Sequence, residues 1–263
     1  MRKKFASLLI VASLIVSIMA GCTENTSAPF QSDSVKKGNY LSFVTTDKAA
    51  YEPGDKVTFT LTLNEQIEEG TLLVRYVHLN EVVEEEEITL TGEDTVTWEW
   101  IAKEDDFKGY MVEVYMKDKK TIVDHYNIAV DVSSDWTKFP RYGYLADFYE
   151  LDQKEQQGVI DKLNRFHING LQFYDWQYKH ERPLKLENGK VADTWLDIAN
   201  REVSRKTVEN YIEMAHEKNM KAMNYNLLFG AYENYEEEGV KKEWGIYRDP
   251  LLENQDKHPL PES

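Results

Sequence analysis

The hydrophobic period of this chain changes near Asp135, and that change dictates two different kinds of structure. Upstream, Val57, Phe59, Leu61 and Leu63 alternate with Thr58, Thr60 and Thr62. Successive side chains of a strand point to opposite faces, so this segment is a half-buried strand with one wet side. Similar segments follow near 72–78, 82–90, 95–101, 111–116 and 122–132. Turn signals such as Pro53-Gly54-Asp55 and Thr91-Gly92-Glu93-Asp94 separate several of them. About seven strands in roughly 90 residues, with no helical period, predict an immunoglobulin-like β-sandwich over residues 40–134. Trp98 and Trp100 flank Glu99 and share one strand face, where core packing is favoured over stacking on a sugar. The run Glu84 to Glu87 suits an edge or surface strand that stays solvated and discourages pairing.

Downstream, strand and helix patterns alternate through residues 135–263. Residues 141–148 are strand-like. Asp152 then precedes Glu155 by three, the capping-box spacing that starts a helix, and Val159, Ile160, Leu163 and Phe166 give that helix an apolar face. A second strand is expected over 170–176, and a polar loop through Asn188-Gly189 follows it. A second helix over about 204–218 turns Val208, Tyr211, Ile212 and Ala215 inward, and a third strand is expected over 221–228. Such alternation implies parallel β/α units with right-handed crossovers. The stretch 249–263 holds Pro250, Pro259 and Pro261 without an apolar period and is expected to be loop. A complete (β/α)8 barrel takes about 250 residues, and residues 139–263 supply about half of that. Either the units form a small α/β layer, or they are the first three of an incomplete (β/α)8 barrel. The second reading is preferred, and three such units would leave sheet edges and half a core exposed.

The first 22 residues have another character. Met1-Arg2-Lys3-Lys4 is a basic lead, 5–19 is an apolar run too short for a comfortable membrane span, and Met19-Ala20-Gly21 precedes Cys22, the one cysteine of the chain. A lone cysteine makes no internal disulfide. The pattern resembles a bacterial lipoprotein signal, with Met19 where leucine is more usual. It implies export, lipidation of Cys22, and anchoring to the membrane at the bacterial cell surface. Residues 23–39, small and polar, fit a flexible tether. The formal net charge of −16 argues against a nucleic-acid partner, because phosphate binding needs clustered lysine and arginine.

Functional groups of β/α barrels sit at the C-terminal ends of strands and in the loops that follow. The first strand ends at Asp147, the second carries Gln172 and ends in Tyr174, Asp175, Trp176, Gln177 and Tyr178, and the third offers Asn224, Tyr225 and Asn226. Gln172 and Tyr174 share one strand face, opposite Leu171 and Phe173. The apolar pair suits packing against helices, which turns Gln172 toward the barrel interior, where it needs a hydrogen-bonding neighbour or a polyol. Carboxylate, amide and aromatic groups on one rim match the needs of sugar recognition, and a purely structural rim remains open on composition alone. Asp175 is expected to orient a sugar or pair with Arg182, and Asp147 to lie in a loop or near Arg141. His180 is more readily a loop or binding-site residue than a metal ligand, since no His/Asp cluster has metal-ligand spacing. No nucleotide, metal or haem motif occurs, so no cofactor is expected, and calcium on a loop stays open.

Residues 139–145 (FPRYGYL) and 170–180 (GLQFYDWQYKH) resemble segments of glycoside hydrolase family 66, which contains dextranases and cycloisomaltooligosaccharide glucanotransferases. The preceding sandwich with its Pro-Gly-Asp corner is similar to the family's N-terminal domain, so the resemblance extends over about 40–263. It implies a (β/α)8 barrel acting on α-1,6-linked glucan or isomaltooligosaccharides by a retaining mechanism. That mechanism uses two carboxyl groups about 5 Å apart. By resemblance the catalytic nucleophile and acid/base come from later strands, beyond Ser263, so Asp147 and Asp175 are not taken as the catalytic pair. Gln172 and Asp175 are expected to bind glucose hydroxyls, with Trp176 and Tyr178 beside them, and Asp147 and Asn224 extend the set by strand-end position. The alternatives are a non-catalytic surface glucan-binding lipoprotein and an inert product of a frameshifted or incompletely sequenced gene.

Overall fold

The structure is a computed structural model that describes residues 39–227, 230–231, 234–237 and 239–255. The expected signal with Cys22, and all but the last residue of the expected tether, lie outside the described residues.

The alternating segments form seven antiparallel strands in two sheets. One sheet has the order β1 (Leu41–Thr46), β2 (Lys56–Leu63), β5 (Thr95–Ile101). The other has the order β4 (Glu81–Leu90), β3 (Gly70–His78), β6 (Lys108–Asp118), β7 (Thr121–Val132). Val57, Phe59 and Leu61 are fully buried while the threonines between them keep partial exposure, as the alternation requires. Trp98 stacks on Phe59 at 5.0 Å between centroids, and Trp100 on Tyr76 at 4.5 Å. Their indole N–H groups donate to the Tyr76 hydroxyl and to Glu84, each at 3.1 Å, so both tryptophans are satisfied core residues. The glutamate run lies on β4, an edge strand, and is paired as well as solvated. Glu84 meets Lys103, Glu85 meets Arg75, Glu86 accepts from the Tyr76 hydroxyl and Glu87 meets Lys117.

After a 3-10 turn at Trp136–Lys138, three parallel strands form a second sheet in the order β14 (Lys221–Asn224), β9 (Gly170–Phe173), β8 (Tyr142–Leu145). Helix α1 (Gln153–Arg165) is capped by Asp152, which accepts from the Glu155 amide at 2.8 Å, and α2 (Arg205–Glu217) by Ser204. Leu171 and Phe173 pack with Ile160, Val208, Tyr211 and Ala215 into one core between sheet and helices. Three expectations are corrected. Phe166 is 71 % exposed, because α1 ends at Arg165 and the chain turns away from the apolar face at that residue. Strand β9 stops at Phe173, since Asp175 takes a left-handed φ of 53° that no strand continues through. Strand β14 likewise stops at Asn224. The loop through Asn188-Gly189 is a tight hairpin of β10 (Leu186–Glu187) and β11 (Lys190–Val191), both turn residues having positive φ. A second hairpin, β12 (Thr194–Leu196) with β13 (Glu202–Ser204), precedes α2 and has no counterpart in the sequence reading.

Both helices end in the same way. The Ile168 amide returns to the Leu163 carbonyl and the Met220 amide to the Ala215 carbonyl, with His167 and Asn219 at φ 54° and 56°. These are Schellman ends, where glycine is the usual occupant. Here the two side chains reach the sandwich instead: Asn219 Nδ2 donates to the Ala50 carbonyl at 2.9 Å and the His167 ring faces the Ala49 backbone. Asn164 adds a bond to the Thr46 carbonyl at 2.7 Å, and Ala49, wholly buried, joins the α/β core. The β1–β2 corner of the sandwich is thus gripped by the C-terminal ends of both helices. Arg141 pairs with the buried Asp131 at the same side.

Candidate functional site

The opposite end of the parallel sheet carries the rim. Tyr144, Gln172 and Met223 lie in one register row across the three strands, and Tyr142 and Gly170 in the row below. Alternation turns this face away from the helices, leaving Tyr142 and Tyr144 64 % and 68 % exposed while Leu171 on the other face is wholly buried. Gln172 is half-buried, and no hydrogen bond among the described residues engages its amide. At the strand end, Tyr174 packs against Tyr144 at 6.3 Å and Tyr225 at 4.3 Å, giving a row of three phenols beside Gln172.

Asp175 sits beside this row with its side chain 17 % exposed. Desolvation raises its pKa above the ordinary carboxylate range and the charge of Asp197 adds to this, while Arg201 and His180 oppose it. The Asp175 charge in turn is the chief cause that raises the Tyr174 phenol, followed by the hydrogen bond to Tyr225. The cation beside Asp175 is Arg201, with Nη2 3.8 Å from Oδ2, in place of the expected Arg182. The reason is the β12–β13 hairpin, which folds back over the strand end. Trp195 Nε1 donates to the Trp176 carbonyl at 2.9 Å, and the Ser204 amide donates to the Phe148 carbonyl at 2.8 Å.

The other expected residues separate into two groups. Trp176 and Asn224 are brought together, the indole donating to Asn224 Oδ1 at 2.7 Å across neighbouring strands. Trp176 and Tyr178 are half-buried and pack on the α/β core, so each offers at most part of a ring to a ligand. Asp147 lies exposed in the loop after β8. It is not near Arg141, which sits at the other end of that strand paired with Asp131. The Asp147 charge is felt on α2, where it adds to desolvation and Tyr149 in raising the Tyr211 phenol. His180 is buried, and desolvation lowers its pKa against the charges of Asp175 and Glu181. No cluster of three or more His, Cys, Asp or Glu fit for a metal ion occurs among the described residues. Sequence reasoning missed Tyr144, Asp197 and Arg201, and the spacing of four between Asp197 and Arg201 was the available signal for that pair.

The sequence profile of glycosyl hydrolase family 66 matches residues 46–263. The chain belongs to this family. Among curated relatives, a cycloisomaltooligosaccharide glucanotransferase of Niallia circulans is 36 % identical over 264 residues, covering 97 % of this chain and 26 % of its own length. A dextranase of Streptococcus salivarius is 24 % identical, covering 57 % of this chain and 20 % of its own length. The crystal structure of a Paenibacillus cycloisomaltooligosaccharide glucanotransferase complexed with cycloisomaltoheptaose superposes with a TM-score of 0.77 at 35 % identity. It covers 84 % of this chain and 32 % of the other. This family 66 chain therefore spans about a quarter of the length of the curated relatives it matches.

Proposed function

We propose that the rim around Asp175 binds α-1,6-linked glucan and that this chain is the sugar-positioning portion of a dextran-active family 66 enzyme, a hydrolase or a cyclising glucanotransferase. One observation carries the reading: among the described residues, an unengaged amide, Gln172, and a carboxylate, Asp175, flank a row of three tyrosines on a sheet face that no helix covers. Planar donors and acceptors match vicinal hydroxyls, and phenol faces match the C–H surface of a pyranose. The relatives that act on isomaltooligosaccharides and dextran support that ligand class. The three parallel strands are then the opening units of a (β/α)8 barrel, with the rim at its functional end. The enzyme would follow the retaining course, and the basic lead with Cys22 would anchor it by lipid outside the bacterial cell.

Within the rim, Asp175 positions sugar and does not cleave it. Asp197, the acid nearest to it in charge terms, is held by two backbone amides and Arg201 and has no free role as nucleophile or acid. Titration with an isomaltooligosaccharide by NMR is expected to move the Gln172 amide and the Tyr174 ring. Asp175→Asn is expected to weaken binding about tenfold, the scale of one charge-assisted hydrogen bond. Unchanged affinity in Asp175→Asn would remove the sugar reading of this rim. Release of reducing sugar from dextran by the 263-residue chain, abolished in Asp175→Asn, would overturn the positioning role. Metabolic labelling with palmitate, lost in Cys22→Ser, tests the anchor.

A further inference from the structure

The hairpin that folds over the strand end contains more than a turn requires. Asp197 has its side chain 1 % exposed. Its Oδ1 accepts from the Ala199 and Arg201 amides at 2.8 and 2.9 Å, and its Oδ2 accepts from Arg201 Nε at 2.8 Å. The Asp197 amide also donates to the Arg201 carbonyl at 2.8 Å. The backbone bonds suffice to close the turn. The Nε bond also fixes the plane of the guanidinium and with it the direction of Nη2. That nitrogen is buried, makes no hydrogen bond among the described residues, and stands 3.8 Å from Asp175 Oδ2. A buried N–H left without a hydrogen bond is costly, and it is held here by the Nε bond to Asp197 Oδ2. The far side of the same hairpin is tied to the strand end through Trp195 and the Trp176 carbonyl. The donor is therefore held at a set distance from Asp175.

We infer that Asp197 and Arg201 act as a positioning pair for Asp175, with Asp197 aiming the guanidinium that holds the Asp175 carboxylate charged and oriented for ligand. Neither residue need touch the sugar. The inference rests on the reading that Asp175 contacts glucan, but its first test does not.

Among the described residues, the charged and titratable groups around Asp175 are Arg201, Asp197, His180 and Tyr174, and Asp197 acts on it in two opposing ways. As a bare neighbouring charge, Asp197 raises the Asp175 carboxyl, so removing it should lower the titration midpoint. As the residue that aims Arg201, its removal frees the guanidinium and should raise the midpoint. The experiment follows the Asp175 carboxyl by 13C NMR in the unliganded chain, for wild type, Asp197→Asn, Arg201→Met and Arg201→Lys. The expected result is an upward shift in Asp197→Asn and Arg201→Met, and partial recovery in Arg201→Lys. A downward shift or none in Asp197→Asn overturns the inference. Thermal melting confirms that each variant is folded, and Arg201→Lys, which keeps the charge, carries the test if Arg201→Met is not. The second measurement is affinity for an isomaltooligosaccharide against pH. Asp197→Asn and Arg201→Met are expected to bind about tenfold more weakly at neutral pH, with the acid limb of the profile moved to higher pH. Binding lost in Asp175→Asn but intact in both of these variants also overturns the inference. Binding unaffected by Asp175→Asn strikes the glucan reading alone, and the carboxyl titration still decides the pair.

Discussion

Asp175 is placed where burial makes its charge unwelcome to the fold. Its raised pKa, caused first by desolvation, means that the native state binds a proton there more readily than the unfolded chain does. The sign follows from linkage: ionised Asp175 lowers stability above its native midpoint, and the cost disappears as the pH falls below the unfolded value. Asp175→Asn is therefore expected to melt at or above the wild-type temperature at pH 7 while losing glucan affinity, and the two proteins should converge at acid pH. Paired thermal melts at pH 7 and pH 4 check this, and a lower melting temperature for the variant at pH 7 would contradict it. At this scale the sequence was partly legible. The alternation with Leu171 and Phe173 separates Gln172 from the helix-packed face, and the structure buries that pair. Arg201 was not found, because its approach to Asp175 depends on a hairpin whose strands are three residues each and leave no periodic trace.

The start of α1 was legible because a cap is a local device. Asp152 and Ser204 each accept from an amide three residues on, so the signal is contained in four residues. Ser204→Ala is expected to cost about 1 kcal/mol, measured by urea unfolding. Leu171→Ala, which empties a wholly buried site under both helices, should cost about 2–5 kcal/mol in the same assay. The helix ends were not legible, since nothing in the sequence marks His167 and Asn219 as left-handed residues where glycine is usual. Their side chains explain the choice. Asn219→Gly relieves backbone strain but loses the bond to the Ala50 carbonyl, whereas Asn219→Ala loses the bond and keeps the strain. The expected order of stability is wild type, then Gly, then Ala, with about 1–2 kcal/mol between the last two. A glycine variant more stable than wild type would mean that the grip on the sandwich contributes little.

At the scale of the whole molecule, the sandwich is joined to the α/β layer at the end opposite the rim. That joint is made of loop carbonyls and helix-end side chains, so no pattern in the sequence foretold it. The α/β layer leans on the β1–β2 corner through Ala49, Asn164, Asn219 and His167. His167 makes the joint sensitive to acid. Its pKa is lowered to about 4, first by burial and then by the Arg141 charge, with the Ala49 backbone opposing both. A histidine with a depressed native pKa contributes its full stability above the unfolded value of about 6.5 and loses it progressively as the pH falls toward its native value. The gap between those values sets an upper bound of ~3 kcal/mol on the loss. Arg141, already paired with Asp131, adds repulsion to any proton that His167 gains. Limited proteolysis at pH 7 and pH 4.5 should therefore find the segment after Phe139 protected at the first and cut at the second, with the sandwich intact at both. His167→Gln, which keeps a hydrogen-bond donor and cannot charge, should flatten that difference. Equal loss of protection in wild type and His167→Gln would assign the acid sensitivity to the carboxylates and leave the joint without this switch.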